Sequence, residues 1–478
     1  MKRMLTALAS LAIAGAALGA DKPLAWPQFR GPGGSGVADD QKPPVDFGPD
    51  KNVKWKVPAP EGLSSPIVAG NLIVITGFVE GKLYTVAYDR DGGKEVWRKE
   101  APAKEIEKYL KGEGSPAAST SATDGERIVS YFGSCGLFCY DLTGKELWKY
   151  ELPTVVTATG FGSGTSPVIA DGLVVLVRDV KNGAKIIALD LANGSLKWEK
   201  PRKSILSYGT PIVMETAGGK QVVATGHGQM IAYDLKTGDE KWSVANMPAG
   251  PCPSPVAADG VVYFAGWAPG GADDKEFQLP SFDDLHKQAN AKEKDVITKE
   301  EADKTFFKTF FDPVDDNKDG KVTRAEWDAL LKFIREGKNS AFAIKPGESG
   351  DITKQILWTK TKALPYVASG IVYRGQYLTV KDGGLVTAYD IKSGKEIYQE
   401  REAASGKYYA SPVAANGHIY FTSLENGTVT VLKAGSSKPD VVAKNPKLDE
   451  RVSASPAIAD DTMYIRTAGH LYAFAEKK

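Results

Sequence analysis

The chain has 478 residues, and 60 lysines and arginines against 59 aspartates and glutamates leave a net charge of +1. That balance excludes a nucleic-acid binder, which needs a basic surplus gathered on one face. Three cysteines exclude a disulfide-rich scaffold, and the four histidines (His227, His286, His418, His470) are too scattered for a metal cluster. The 50 glycines and 28 prolines favour short strands joined by turns over long helices.

The first twenty residues stand apart. Lys2 and Arg3 precede an uncharged run at 4–20 that ends in small residues, which reads as a secretory signal peptide cleaved after Ala20. The run is short and interrupted by Thr6, Ser10, Gly15 and Gly19, so a retained membrane anchor is disfavoured. No cysteine follows it for lipid attachment, and no later segment approaches ~20 uninterrupted apolar residues. The expected mature chain is periplasmic or secreted, with no integral membrane segment.

From residue 87 a repeat appears. Ala87, Tyr88, Asp89, Gly93 and Trp97 return as Cys139, Tyr140, Asp141, Gly144 and Trp148. They return again around Asp190, Gly194 and Trp198, around Asp234, Gly238 and Trp242, and around Asp390, Gly394 and Tyr398. Each copy is an apolar strand end, an Asp/Gly turn and a strand closing on an aromatic, which is a hairpin signal. A small-residue step precedes each hairpin, at Ser65, Ser121, Ser166, Thr210, Ser254, Ser369, Ser411 and Ser455, often followed by proline. Proline at a strand's first position removes no ladder hydrogen bond. The intervals are 56, 45, 44, 44, 115, 42 and 44 residues. A unit of about 44 residues is the size of one propeller blade, and eight starts predict eight blades. The last unit ends too early for a fourth strand, so residues 52–57 are expected to supply it and leave no open edge.

On these turns the sequence resembles the PQQ-like, quinoprotein-type repeat propellers, whose tryptophan-docking motif packs each Trp on the neighbouring blade. The opening Trp-Pro-Gln-Phe-Arg-Gly-Pro at 26–32 is similar to exported members. The resemblance implies an all-β, eight-bladed propeller. It leaves two functional branches, quinone-dependent dehydrogenases and BamB-type outer-membrane assembly factors, which are non-catalytic scaffolds.

The 115-residue interval exceeds the unit by 71, and from 268 to 340 the chain turns charged and helical. The expected organisation is a signal peptide at 1–20, propeller blades at 21–267, a helical EF-hand insertion in blade five at 268–340, and the remaining propeller at 341–478. At its centre, residues 315–326 match the calcium-loop pattern D-x-[DN]-x-[DN]-G-x5-E. Calcium wants six to eight oxygens. Asp315, Asn317 and Asp319 would supply side-chain oxygens, Lys321 its carbonyl, Thr323 a water-mediated contact and Glu326 a bidentate carboxylate. Phe307, Phe310, Phe311 and Val314 share one helical face before the loop, and Trp327, Leu330, Leu331 and Ile334 another after it. A second loop ending at Glu301 carries Asn290, Lys292 and Lys294 where acids belong. Thr298 and Glu301 there read as a helix cap, with a degenerate packing partner as the alternative. Following a blade's second strand, the insert should overhang the funnel face.

The function expected from these features is a calcium-binding, monomeric, non-catalytic scaffold or adaptor with a protein or peptide partner on the funnel face, where Tyr208, Tyr366, Tyr408 and Tyr409 are candidate exposed contacts. The alternative is a PQQ-dependent alcohol or sugar dehydrogenase. PQQ is a possible cofactor, not the expected one: the resemblance implies two adjacent cysteines near the quinone, whereas Cys135 and Cys139 are four apart and Cys252 is distant. Cys135 and Cys139 fit apolar packing, with a disulfide between them as the alternative. No catalytic residue is assigned.

Overall fold

The computed structural model describes residues 25–270, 278–347 and 349–477. The signal peptide expected at 1–20 lies outside the described residues. Eight antiparallel sheets, each built on four strands, succeed one another around a ring. Blade 1 sets the pattern with Ile67–Ala69 innermost, then Leu72–Val79, Lys82–Asp89 and Glu95–Ala101 outermost. Blade 8 draws Ala457–Ala459, Thr462–Arg466 and His470–Phe474 from the end of the chain and its outer strand, Val53–Pro58, from near the start. The two ends of the chain therefore close the ring through one antiparallel pairing, as expected.

Around the axis runs a closed belt of hydrogen bonds between blades. The Ser65 amide donates to Thr120 Oγ1 (2.9 Å), Thr120 to Ser166 Oγ (3.0 Å), Ser166 to Thr210 Oγ1 (3.1 Å) and Thr210 to Ser254 Oγ (2.8 Å). Ser254 donates to Ser369 Oγ (2.9 Å), Ser369 to Ser411 Oγ (3.0 Å), Ser411 to Ser455 Oγ (2.9 Å), and Ser455 back to Ser65 Oγ (3.0 Å). Each hydroxyl satisfies an amide buried at the innermost point of its neighbour, which has no ladder partner of its own. Blade 2 differs from expectation by one residue: Thr120 takes the belt position, while Ser121 Oγ bonds Ser130 Oγ at 2.7 Å. The pleat decides this. Every belt residue sits two positions before its inner strand, and the inner strand of blade 2 begins at Ala122.

A second set of contacts operates at the rim. In every blade the pairing of the third strand with the outer strand slips by one residue. Except in blade 7, where Ala443 follows, the bulge is followed by an aromatic at the rim. Trp148 Nε1 donates to Leu191 O (2.8 Å), with Trp55, Trp97 and Trp198 doing likewise to Arg90, Leu142 and Leu235. Under the Trp148 ring lies Gly194 at φ +73°, where a Cβ would stand 2.7 Å from the indole. Both the left-handed backbone and the close approach demand glycine there. Trp242 departs from the scheme and donates to Gln221 Oε1 of its own blade (2.8 Å), because blade 5 lacks the short Asp/Gly turn.

Residues 26–38, the stretch that carried the family resemblance, cross the axis as a plug. Val68 of blade 1 donates to Trp26 O, Thr123 of blade 2 to Pro27 O, and Ala414 of blade 7 to Gly36 O. Arg30, wholly buried, donates through Nη2 to Gly370 O of blade 6 (2.6 Å), and burial lowers its pKa to about 10. Cys135 and Cys139 are free and buried, packed as apolar residues in separate clusters.

Replacing Ser254 by Ala would leave the Thr210 amide buried without an acceptor. Urea denaturation should show a loss of about 1–3 kcal/mol, whereas a comparable truncation at an exposed serine such as Ser393 should change stability by less than about 0.5 kcal/mol.

Candidate functional site

The helical insert leaves blade 5 after Val261–Gly266 and returns at Ser340–Ile344. Its neck is clamped by Asn339, whose Oδ1 accepts from Ala268 N (2.8 Å) and whose Nδ2 donates to Ala268 O (3.1 Å). Beyond the neck come helices Phe282–Ala289, Lys299–Ala302, Phe311–Val314 and Arg324–Arg335, with a one-turn 3-10 segment at Phe306–Phe310. They share a small core of their own, in which Trp327 meets Phe307 edge-on with ring centroids 4.9 Å apart.

Two twelve-residue loops face each other in this module, 290–301 and 315–326. They are joined by a short antiparallel pair, Val296–Thr298 with Lys321–Thr323, that sets Ile297 opposite Val322. Both end in a reciprocal cap: Thr298 with Glu301 and Thr323 with Glu326. The cap and packing-partner readings of the first loop therefore coexist. In the second loop Asp315 accepts from the amides of Asp319 (3.1 Å) and Gly320 (2.9 Å), and Asn317 Oδ1 accepts from Asp319 N (3.0 Å). Asp319 Oδ1 accepts from Lys321 N (2.9 Å), and Glu326 accepts from Asp316 N (3.1 Å) and Thr323 N (2.8 Å). Gly320, at φ +79°, makes the sharp turn. All six sequence-selected positions thus lie on one loop. Its carboxylates are engaged with loop amides, and among the described residues no three His, Cys, Asp or Glu converge as metal ligands in this arrangement.

The module lies across the mouth of the propeller. On blade 4, His227 stacks on Phe333 (3.8 Å between centroids, 12° between planes) and Lys338 N donates to Met247 O (2.8 Å). On blade 3, Lys181 Nζ reaches Asp316 Oδ1 (2.7 Å) and Pro313 O (3.2 Å), tying the loop to the ring. Between module and ring is a cavity of about 960 Å³. All eight belt residues and Phe29 of the plug line its floor, and Phe306, Phe310, Leu330 and Phe333 line its roof.

Tyr208, Tyr366 and Tyr409 line this cavity half-buried rather than exposed, engaged with Thr159, Trp267 and Glu113 respectively. Tyr408 is a correction: its side chain is 1% exposed and packs among core residues of blades 6 and 7, its hydroxyl donating to Ala404 O. Cys252 lines the cavity, and burial raises its thiol to about 12, so it stays protonated and poorly nucleophilic near neutral pH.

Sequence reasoning missed the groups that fix the wall opposite the neck. The Gly-rich stretch 160–164 carries Phe161 against Phe310 (6.2 Å) and Gly160 against Pro313. It is held from behind by Glu107, 2% exposed, which accepts from Ser163 Oγ (2.8 Å) and Ser163 N (3.0 Å). A lone glutamate far along the chain gives no sequence signal of this pairing.

The comparisons with known proteins follow this geometry closely. The family model described as outer membrane protein assembly factor BamB matches residues 80–266 and 348–477, and the break coincides with the helical insert. The chain belongs to the BamB-like family of PQQ-type repeat propellers. It is similar to the outer membrane protein assembly factor BamB of Nitrosomonas eutropha, 26% identical over 202 residues, which are 40% of this chain and 43% of that protein. The chain thus spans less than half the length of that curated relative. The crystal structure of BamB from Moraxella catarrhalis shares 11% identity at TM-score 0.52, covering 88% of this chain and 98% of the other. A europium-containing methanol dehydrogenase shares 10% identity at TM-score 0.59, covering 95% and 99%. These two likenesses show the fold alone. Among the described residues no helix is long and apolar enough to cross a membrane.

Burial pushes the Glu107 carboxyl up from 4.5 to about 7, against the opposing hydrogen bonds of Ser163 and the charge of Arg178. Between those values the folded chain retains a proton that the unfolded chain has released. Stability from this group is therefore full below about pH 4.5, falls through the window, and is gone above about pH 7. Urea titrations at pH 5 and pH 8 should show a loss on the order of 3 kcal/mol in the wild type that Glu107→Gln lacks.

Proposed function

We propose that this protein is an exported, calcium-binding propeller that acts as a non-catalytic scaffold or adaptor, holding a ligand or partner segment between the ring and the inserted module. The observation that carries the reading is the chemistry of the funnel. Its walls are aromatic and aliphatic, and its lining carboxylates already have partners: Asp316 bonds Lys181, Glu113 accepts from Tyr409, and Glu326 caps its own helix. Such a site favours retention over proton transfer or nucleophilic attack, which need a base within reach of a reacting group. The leader at 1–20 supports export.

Calcium is the proposed structural ion of the module. Asp315, Asn317, Asp319, the Lys321 carbonyl, Thr323 and Glu326 are oxygen donors on one loop of the required length and turn. The Ile297–Val322 pairing gives that loop the rigid neighbour it needs. When bound, the ion would supply a fixed charge holding the two helices that roof the cavity.

The dehydrogenase reading is the weaker one. PQQ carries three carboxylates, and the cavity lining offers one basic side chain, Lys181, already committed to Asp316 and Pro313. The donor set does not fit that cofactor, and no oxidation step is derived through it.

Isothermal calorimetry on the chain from Asp21 should give saturable uptake of one calcium ion. Glu326→Ala should weaken it by well over tenfold while the far-ultraviolet signal of the propeller is retained. Equal affinity in that variant would remove calcium from the reading, and loss of the propeller signal would show the loop to be part of the core fold instead.

A further inference from the structure

The insert holds more apolar surface than its own core uses. Along Arg324–Arg335, Trp327 and Leu331 are buried in the module, whereas Leu330, Phe333 and Ile334 form a second apolar face toward the funnel. Phe306, also on the roof, is 44% exposed. Among the other large exposed hydrophobics, Val96, Leu147, Leu357 and Val442 are the extra residues of blade bulges, explained by the rim geometry. Val156, Leu196 and Phe306 are not bulge residues, and of these three Phe306 alone lines the funnel cavity. It lines a half-open cavity of about 960 Å³, within the ~300–1,000 Å³ of ligand sites.

The space is blind. The plug closes the floor through Phe29, the neck and blade 4 contacts close one flank, and Lys181 with Phe161 closes another. The remaining flank lies by blades 6 to 8, where Glu113 and Tyr409 line the cavity and Arg451 lies over the Tyr409 ring at 5.4 Å. Polar groups therefore stand at the mouth and the floor, with an apolar interior between. An extended peptide would bring amides and carbonyls into that interior, where each unpaired group costs several kcal/mol. The belt could serve such groups only at the floor, through its hydroxyls, since its backbone amides are consumed by the neighbouring blades. A hydrocarbon chain has no such groups.

We propose that the funnel is a lipid-tail site, binding a single long acyl chain with its oxygen-bearing head at the mouth beside Glu113, Tyr409 and Arg451. This rests on the funnel being a binding site and deepens that reading by naming its ligand class. The eight belt hydroxyls, each having accepted one bond, keep an O–H that holds water at the floor, beyond the end of the chain.

The test uses the chain from Asp21, with 1-oleoylglycerol as the acyl probe and an uncharged apolar decapeptide as the competing class, read by calorimetry and tryptophan fluorescence. Saturable one-to-one uptake of 1-oleoylglycerol is expected. Ala329→Trp, which fills the cavity from the exposed side of the roof helix, should weaken it at least tenfold, and Asp328→Asn on the same helix should leave it unchanged. Thermal melts of both variants establish that the ring is intact. Should Ala329→Trp prove unstable, Phe306→Asp provides the same reading from the neighbouring segment. No saturable uptake, or uptake indifferent to both cavity variants, overturns the proposal. Decapeptide binding without acyl uptake overturns the ligand class and leaves the scaffold reading standing. Failure of both probes in a protein that still takes up calcium removes the funnel as a binding site altogether.

Discussion

Everything in this molecule hangs on eight buried amides at the axis. At the innermost turn of each blade the backbone has left one strand and not yet begun the next, so its N–H has no ladder partner. The hydroxyl of the adjacent blade supplies one. Because each blade both gives and receives, the belt fixes spacing and tilt together, and a ring of eight is the count at which the last amide meets the first hydroxyl. The rim tryptophans repeat the logic in apolar form, with Trp55, Trp97, Trp148, Trp198 and Trp358 each lying on the next blade's glycine.

A ring so constrained makes an unusually stiff rim for an appended element. The insert is attached at the Asn339 neck, at blade 4 through the His227–Phe333 stack and the Lys338–Met247 bond, and at blade 3 through Lys181, with Phe161 packed on Phe310. Its own small core sets the helix positions, and the ring sets the distance between roof and floor. The cavity is therefore a property of neither unit alone. That is why its volume could not be inferred from the repeat or from the loop pattern separately.

The legible part of the fold was the part encoded by period and by turn chemistry. Asp, Gly and Trp recur because a bulged hairpin with a flat close contact admits few alternatives, and the single long interval located the insert. Blade 2 shows the limit: with Ser119, Thr120 and Ser121 in a row, composition could not say which hydroxyl faces the axis, and the pleat selected Thr120. The site was less legible. The calcium-loop pattern is local and stood out, whereas Glu107 with Ser163 and Lys181 with Asp316 are pairs separated by 56 and 135 positions, visible only once the chain is folded. Tyr408 was misjudged because adjacent tyrosines at a blade connection point in opposite directions, and only Tyr409 turns to the funnel.

The shared blade has a consequence for how the molecule comes into being. Val53–Pro58 is among the first strands to emerge and cannot find its partner until His470–Phe474 arrives more than four hundred residues later. Until then the outer position of blade 8 stands empty and the belt lacks its last link. Local hairpins can form early, but the contact that makes the disc a disc is the most distant in the chain, and such contacts are slow because the loop must close before they reward it. A propeller of this design passes through an unfinished arc with two open strand edges, exposed to mispairing until the circle shuts.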